Sequence, residues 1–281
     1  MQSDRTTAEL VAENYYDSRD ADRFYELIWG GDDIHIGLYG DDENGDIGTA
    51  SRKTVATMAD RLEGLAPDSR ILDLGAGYGG AARYLAERFD CRVTCVNLSE
   101  VQNVRNRRRN RDEELARRIR VVHGSFENIP ARPESVDVVW SQDAFLHSAQ
   151  KRRVVSEIAR VLKPGGIALF TDPMQADDCE PAMLERVYER LSLDSLASPS
   201  WYSREFARLG FEQLAWIDYS PELRRHYAAV RAELRHRYTE LRSEISTGYL
   251  DRMLAGLSNW VTAADAGYLR WGVLQFRKPA V

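Results

Sequence analysis

Lysine is nearly missing from this chain: of 38 basic residues only four are lysine (Lys53, Lys151, Lys163 and Lys278) and 34 are arginine. Arginine stays charged and forks onto carboxylates, which suits ordinary ion pairing and concentrated salt alike. Cysteine is scarce as well. Cys91, Cys95 and Cys179 make an odd count with no CxxC and no Cys/His ligand spacing, which excludes a disulfide framework and leaves a metal site without support. Cys91 and Cys95 read as buried thiols of a strand. No apolar run approaches the ~20 residues that cross a bilayer. The start, MQSDRTTAEL, lacks a basic stretch followed by an apolar one. The expectation is a cytoplasmic protein with no membrane partner. Positive charge is also in deficit: a net charge of −6 repels phosphate backbones, which argues against nucleic acid and favours a small-molecule partner. What is present is a core. Of 281 residues, 43% are hydrophobic and 10% aromatic, enough for one large apolar interior.

From about residue 70, short β-branched runs alternate with helical periodicity: RILDL (70–74), CRVTCV (91–96), IRVVH (119–123), VDVVWS (136–141) and GIALFT (166–171). Such alternation predicts an α/β fold, a parallel sheet with crossover helices. Helices are expected over 80–89 and 150–162, the second stopped by Pro164-Gly165-Gly166. After residue 180 the alternation breaks into a helix (181–195), a Ser/Pro interruption (195–200), a short helix and the strand-like FEQLAWIDY (211–219). A long stripe follows, from Leu223 through Tyr227, Val230, Leu234, Tyr238 and Leu241 to Ile245, spaced as one helix face and read as core packing of a cap. LRWGVLQF (269–276) reads as a closing strand. The first 60 residues are mostly helical, broken by a Gly/Asp-rich stretch at 30–48.

ILDLGAGYGG (71–80) ends a strand and opens a helix, with Gly75, Gly77 and Gly80 in GxGxxG spacing. Asp73, two residues before the first glycine, is poorly placed for a pyrophosphate and well placed for an ammonium. Leu162-Lys163-Pro164-Gly165-Gly166 precedes a later strand. Together these residues resemble the class I methyltransferases dependent on S-adenosylmethionine (SAM). The resemblance implies a Rossmann-like, mostly parallel seven-stranded sheet whose last strand runs antiparallel. It further implies a single domain over 1–281, with an N-terminal helical lid (1–60), a SAM-binding core (65–180) and a helical cap insertion (220–265). SAM is the implied cosubstrate, with no metal. Asp73, Gly75 and Gly77 would hold its methionine end, Asn97 and Leu98 the ribose, Ser125 and Phe126 the adenine, and Gln142 the sulfonium end.

Three further stretches are specific: Asn14-Tyr15-Tyr16 with the run from Phe24 to Tyr39, Ser141 to Ser148, and Phe170 to Cys179. The first two resemble phosphoethanolamine methyltransferases, in which an SxDxxLH segment supplies an Asp for the amine and a His that pairs with an N-terminal tyrosine. All three, with Asn97-Leu98-Ser99-Glu100 and Gly267 to Gly272, are similar to sarcosine/dimethylglycine N-methyltransferases, which make the osmoprotectant glycine betaine. The resemblance implies Asp143, His147 and Tyr16 as catalytic residues and Tyr15, Met174 and Tyr202 as substrate contacts. An arginine should fork onto the substrate carboxylate; Arg204, Arg224 and Arg270 lie in the right segments. A lone His on an apolar helix start is also a common core residue, and the Arg105–Arg111 run reads as a solvated helix face. The competing readings are a methyltransferase for a phosphobase or sugar hydroxyl, and a SAM-binding protein that touches RNA through that arginine run.

Overall fold

The computed structural model describes residues 6–41, 45–191, 193 and 195–280. Of the segments named above, residues 1–5 and 42–44 of the lid and residues 192 and 194 of the 181–195 helix lie outside them. In chain order the N-terminal part holds α1 (Thr7–Asp17), α2 (Arg19–Leu27) and α3 (Ile47–Ala59). A sheet and its crossovers follow: β1 (Arg70–Leu74), α4 (Gly80–Phe89), β2 (Arg92–Asn97), α5 (Glu100–Asp112), β3 (Ile119–His123), β4 (Val136–Gln142), α6 (Lys151–Val161) and β5 (Leu162–Thr171). The remainder is β6 (Met174–Gln175), α7 (Glu185–Leu191), α8 (Pro199–Arg208), β7 (Glu212–Asp218), α9 (Ser220–Leu241), α10 (Thr247–Asp265), β8 (Leu269–Arg270) and β9 (Gly272–Arg277).

The main sheet has seven strands in the order β3-β2-β1-β4-β5-β9-β7, with β9 antiparallel to both of its neighbours. This is the expected Rossmann-like arrangement. The order reverses at β1, which lies between β2 and β4, so their carboxyl ends open a crevice at the switch point. Apolar faces cover both sides of the sheet. On one side Val154, Val155 and Ile158 of α6 meet Phe170, Phe206 and Phe276, the last two stacked 4.1 Å apart. On the other, Leu85 and Ala86 of α4 pack with Val55 and Met58 of α3.

LRWGVLQF is two strands, not one. Leu269–Arg270 pairs with Met174–Gln175 in a separate ribbon, and Gly272–Arg277 enters the main sheet between β5 and β7, so β7 is the edge. Trp271 breaks the run because its indole turns inward to a carboxylate at the crevice. The helical stripe of 223–245 is also interrupted: α9 ends at Leu241 and α10 runs back beside it. No helix among the described residues is long and apolar enough to cross a membrane.

The N-terminal segment lies over the crevice and is pinned to the sheet layer by charge. Thr6 and Glu9 form a capping box that starts α1, while Asp17 at its far end accepts from Ser99 Oγ at 2.6 Å. The arginine run of α5 departs from a purely solvated face. Arg105 lies over the Tyr78 ring and pairs with Asp22 and Glu26 of α2, and Arg109 pairs with Asp32. With Arg107 on Glu100, three of the five arginines thus meet protein carboxylates.

Candidate active site

The crevice is lined by the loop after β1, the ends of β2 and β4, and one face of α1 carrying Glu9, Ala12 and Tyr16. Gly75 and Gly77 both have positive φ, +74° and +53°. A Cβ on Gly75 would stand 2.3 Å from the Ala144 Cβ, so only glycine lets the β1 loop close under the β4 segment. A Cβ on Gly77 would project toward Ile34 across the crevice, 3.4 Å from its terminal methyl. Gly77 thus lines a narrow part of the crevice, where any side chain would press on Ile34.

Asp73, the last residue but one of β1, is 3% exposed and its Oδ2 has no hydrogen-bond partner. Burial pushes its carboxyl up to about 7, against the opposing pull of His35. A carboxylate so placed calls for a cation. Nearby, Trp140 Nε1 donates to Gln142 Oε1 at 3.1 Å, and the Gln142 Nε2 is a buried donor without a partner. At the end of β2, Asn97 Nδ2 donates to Gln102 Oε1 at 3.0 Å, so Oδ1 is the amide atom left to accept a hydroxyl. Leu98 and Phe126 complete the walls. Ser125 does not: its hydroxyl accepts from Glu127 N at 2.9 Å and shapes the turn after β3, leaving Gly124 and Phe126 to line the crevice there.

A second cavity adjoins the first across Tyr16, Ile34, Asp143 and His147. Its wall is an arc of rings from Tyr16 to Tyr25 (centroids 5.5 Å apart), Tyr25 to Trp29 (5.3 Å) and Trp29 to Tyr227 (5.9 Å). Tyr25 rides on α2, Trp29 lies just past that helix's end, and Tyr227 arrives from α9. Tyr16 Oη lies 3.0 Å from His147 Nε2. His147 ends a single 3-10 turn, Phe145–His147, entered from Asp143 in the left-handed region at φ 52°.

Asp143 joins the two cavities. Its Oδ1 accepts from Trp271 Nε1 and its Oδ2 from Ile36 N, each at 2.7 Å, and burial raises its carboxyl. A further buried acid group, not singled out from the sequence, lies near Asp73. Burial alone would raise the Asp33 carboxyl, but the His35 imidazole 3.8 Å away and the Arg52 guanidinium at 2.9 Å hold it low.

Several expected substrate contacts are elsewhere. Tyr15 packs edge-on against Tyr16 and reaches toward the cap, its hydroxyl 3.2 Å from that of Tyr249. Met174 is fully buried in the β6 ribbon, and Tyr202 donates to Asp172 Oδ2 at 2.8 Å beneath the site. Neither lines the cavity. The three arginines are likewise remote: Arg204 donates to Ser200 Oγ, Arg224 pairs with Asp265, and Arg270 donates to the carbonyls of Gly267 and Leu269. Among the described residues no arginine or lysine lines either cavity. Conversely Tyr25, Trp29, Tyr227 and Trp271 were missed. Their place in the specific run from Phe24 to Tyr39 was the available signal for the first two.

Residues 72–170 match the family described as a methyltransferase domain. The chain is 48% identical to the sarcosine/dimethylglycine N-methyltransferase of Halorhodospira halochloris, over 95% of this chain and 96% of that one. It is 47% identical to the enzyme of the same name from Aphanothece halophytica, over 98% and 100%. A solved structure from Galdieria sulphuraria, assigned as a sarcosine dimethylglycine methyltransferase, superposes with a TM-score of 0.90 at 40% identity, covering 95% of this chain and 100% of that chain.

Proposed function

This chain belongs to the sarcosine/dimethylglycine N-methyltransferases, and from that premise we propose that it methylates sarcosine and dimethylglycine at nitrogen with SAM, ending at glycine betaine. The observation that carries the reading is the ring-lined cavity of Tyr16, Tyr25, Trp29 and Tyr227 opening onto the glycine-lined crevice through Asp143 and His147. Aromatic faces attract an N-methylated ammonium, and each methyl adds apolar contact.

The crevice fits SAM on its own chemistry. The unpartnered Asp73 Oδ2 suits the α-ammonium, a side chain at Gly77 would fill the space, and Asn97 Oδ1 and the Gln142 amide offer an acceptor and a donor. Bound SAM supplies a methyl group already activated by its sulfonium, so no metal or covalent help is called for. The protein has three tasks: to bind, to align, and to remove a proton.

Secondary and tertiary amines are mostly protonated at pH 7, as a lysine-like amine is, and a protonated nitrogen has no lone pair with which to attack. Asp143 meets the arriving ammonium at the junction of the cavities. His147 Nε2 takes the proton, with the Tyr16 hydroxyl 3.0 Å away to relay it or hold the ring. The rings and Ile34 keep water from the freed lone pair.

Methyl transfer to glycine, sarcosine, dimethylglycine and phosphoethanolamine, assayed side by side with labelled SAM, tests this. Sarcosine and dimethylglycine should be turned over well, glycine slowly and phosphoethanolamine not at all. Absence of turnover on both N-methylated amino acids would sink the proposal.

A further inference from the structure

His147 is held by very little of its own structure. It stands on one 3-10 turn whose N-cap residue, Ala144, provides no side-chain cap, and whose internal bonds are His147 N to Ala144 O (3.2 Å) and Ser148 N to Phe145 O (3.0 Å). A turn this short does not fix its own orientation. Besides the bonds that tie Ser148 to Glu127 and Lys151, anchors come from the end of β5 and the residue after it. Asp143 N donates to Thr171 O at 3.0 Å, and Leu146 N, the amide next to His147, donates to Asp172 Oδ1 at 2.9 Å. The other oxygen of Asp172 receives the Tyr202 hydroxyl at 2.8 Å. Both side chains are sealed from solvent, Asp172 at 0% and Tyr202 at 1% exposure. With one donor on each oxygen, the carboxyl plane cannot rotate without breaking a buried bond.

We infer that Asp172 and Tyr202 are positioning residues for His147: they lock the turn that sets its Nε2 against Tyr16 and the acceptor cavity. The inference rests on His147 being the proton acceptor proposed above. Tyr202 touches no reacting group, and its hydroxyl acts through one carboxylate and one backbone amide. Packing around the ring, against Phe170 at 5.0 Å and Trp201 at 5.2 Å, is independent of that hydroxyl. Tyr202→Phe therefore removes the lock and leaves the core.

The experiment is a double-mutant cycle of Tyr202→Phe with His147→Ala, read as kcat for dimethylglycine and KM for SAM with labelled methyl. In the wild-type background Tyr202→Phe should lower kcat roughly tenfold to a hundredfold, as a displaced catalytic group does, with KM for SAM within about twofold. In the His147→Ala background it should have no further effect on kcat, because there is no imidazole left to position. An equal loss in both backgrounds, or no loss in the wild type, overturns the inference. His147→Ala alone with undiminished turnover would instead overturn the proton-acceptor reading, so the two failures are distinct. If Tyr202→Phe does not fold, Asp172→Asn against Asp172→Ala carries the same cycle, since the amide keeps a carbonyl oxygen for Leu146 N.

Discussion

Tyr16 and His147, 131 positions apart in sequence, meet with hydroxyl and imidazole 3.0 Å from one another at the boundary of the two cavities. One rides on the helix that covers the crevice, the other on the turn after β4. The pair exists only when α1 is seated, which places the proposed proton acceptor and the cover in one arrangement. His147→Ala should lower turnover by the ~10²–10⁴-fold typical of a lost general base while SAM affinity stays nearly unchanged. Because higher pH supplies free amine without an enzyme base, the deficit should shrink as pH climbs toward the amine's own pKa. A pH–rate series on the two proteins checks this; a constant ratio would assign His147 a purely structural role and move the base to Tyr16.

The ring arc predicts how substrates are ranked. Trp29→Leu keeps an apolar side chain but removes the largest π face, and cation–π attraction is worth about 0.5–2 kcal/mol. KM for dimethylglycine should therefore rise by roughly 2- to 30-fold, more than it does for glycine, which carries no methyl. Steady-state kinetics on both acceptors decide the matter. Equal effects would mean that the rings shape the cavity without reading the methyls.

Gly77→Val should abolish SAM binding without unfolding the chain. The new side chain projects across the crevice toward Ile34, and its backbone sits at φ +53°, where a β-branched residue costs on the order of 1–2 kcal/mol. Calorimetric titration with SAM should show no measurable heat, and thermal unfolding a lowered but cooperative transition. Near-native affinity would remove the glycine loop from the cofactor site.

How much of this was legible in the sequence depends on whether a residue acts locally or through the fold. The strands from RILDL to VDVVWS stand within a residue of their expected ends, because β-branched runs bounded by turns report directly on strand propensity. Asp73, Gly75 and Gly77 could be proposed from sequence because a loop's chemistry is local. Tyr227 was read as core packing, and it is core: the same stripe that buries Leu223 and Val230 also offers one ring to the cavity. Periodicity distinguishes inside from outside and cannot distinguish a cavity from a filled core. Tyr15 and Tyr16 are adjacent, so which of them faces His147 is set by the angle at which α1 crosses the sheet, a tertiary quantity. The arginine expected at the substrate carboxylate failed for a related reason: Arg204 and Arg270 are engaged within their own segments, and Arg224 by Asp265 of the neighbouring α10.

The last prediction concerns Asp73. Its carboxyl, pushed up to about 7 by burial, holds a proton that an unfolded Asp would release near its ordinary value of 3.8. Between those values the native state binds more protons than the unfolded one, so this group lowers the stability of the ligand-free protein as pH rises from about 4 to about 7, and no further above that. Cofactor binding reverses the preference. An ammonium beside Asp73 favours the ionised carboxylate, so below about pH 7 binding must expel the proton. SAM affinity should accordingly rise with pH by about tenfold per unit below that point and level off above it. Calorimetry at pH 6 in buffers of differing ionisation heat should record close to one proton released, falling toward zero by pH 8.5. Asp73→Asn, which cannot ionise, should bind SAM weakly with neither the slope nor the proton. If the slope survives in Asp73→Asn, another group is titrating, and the proton is not Asp73's.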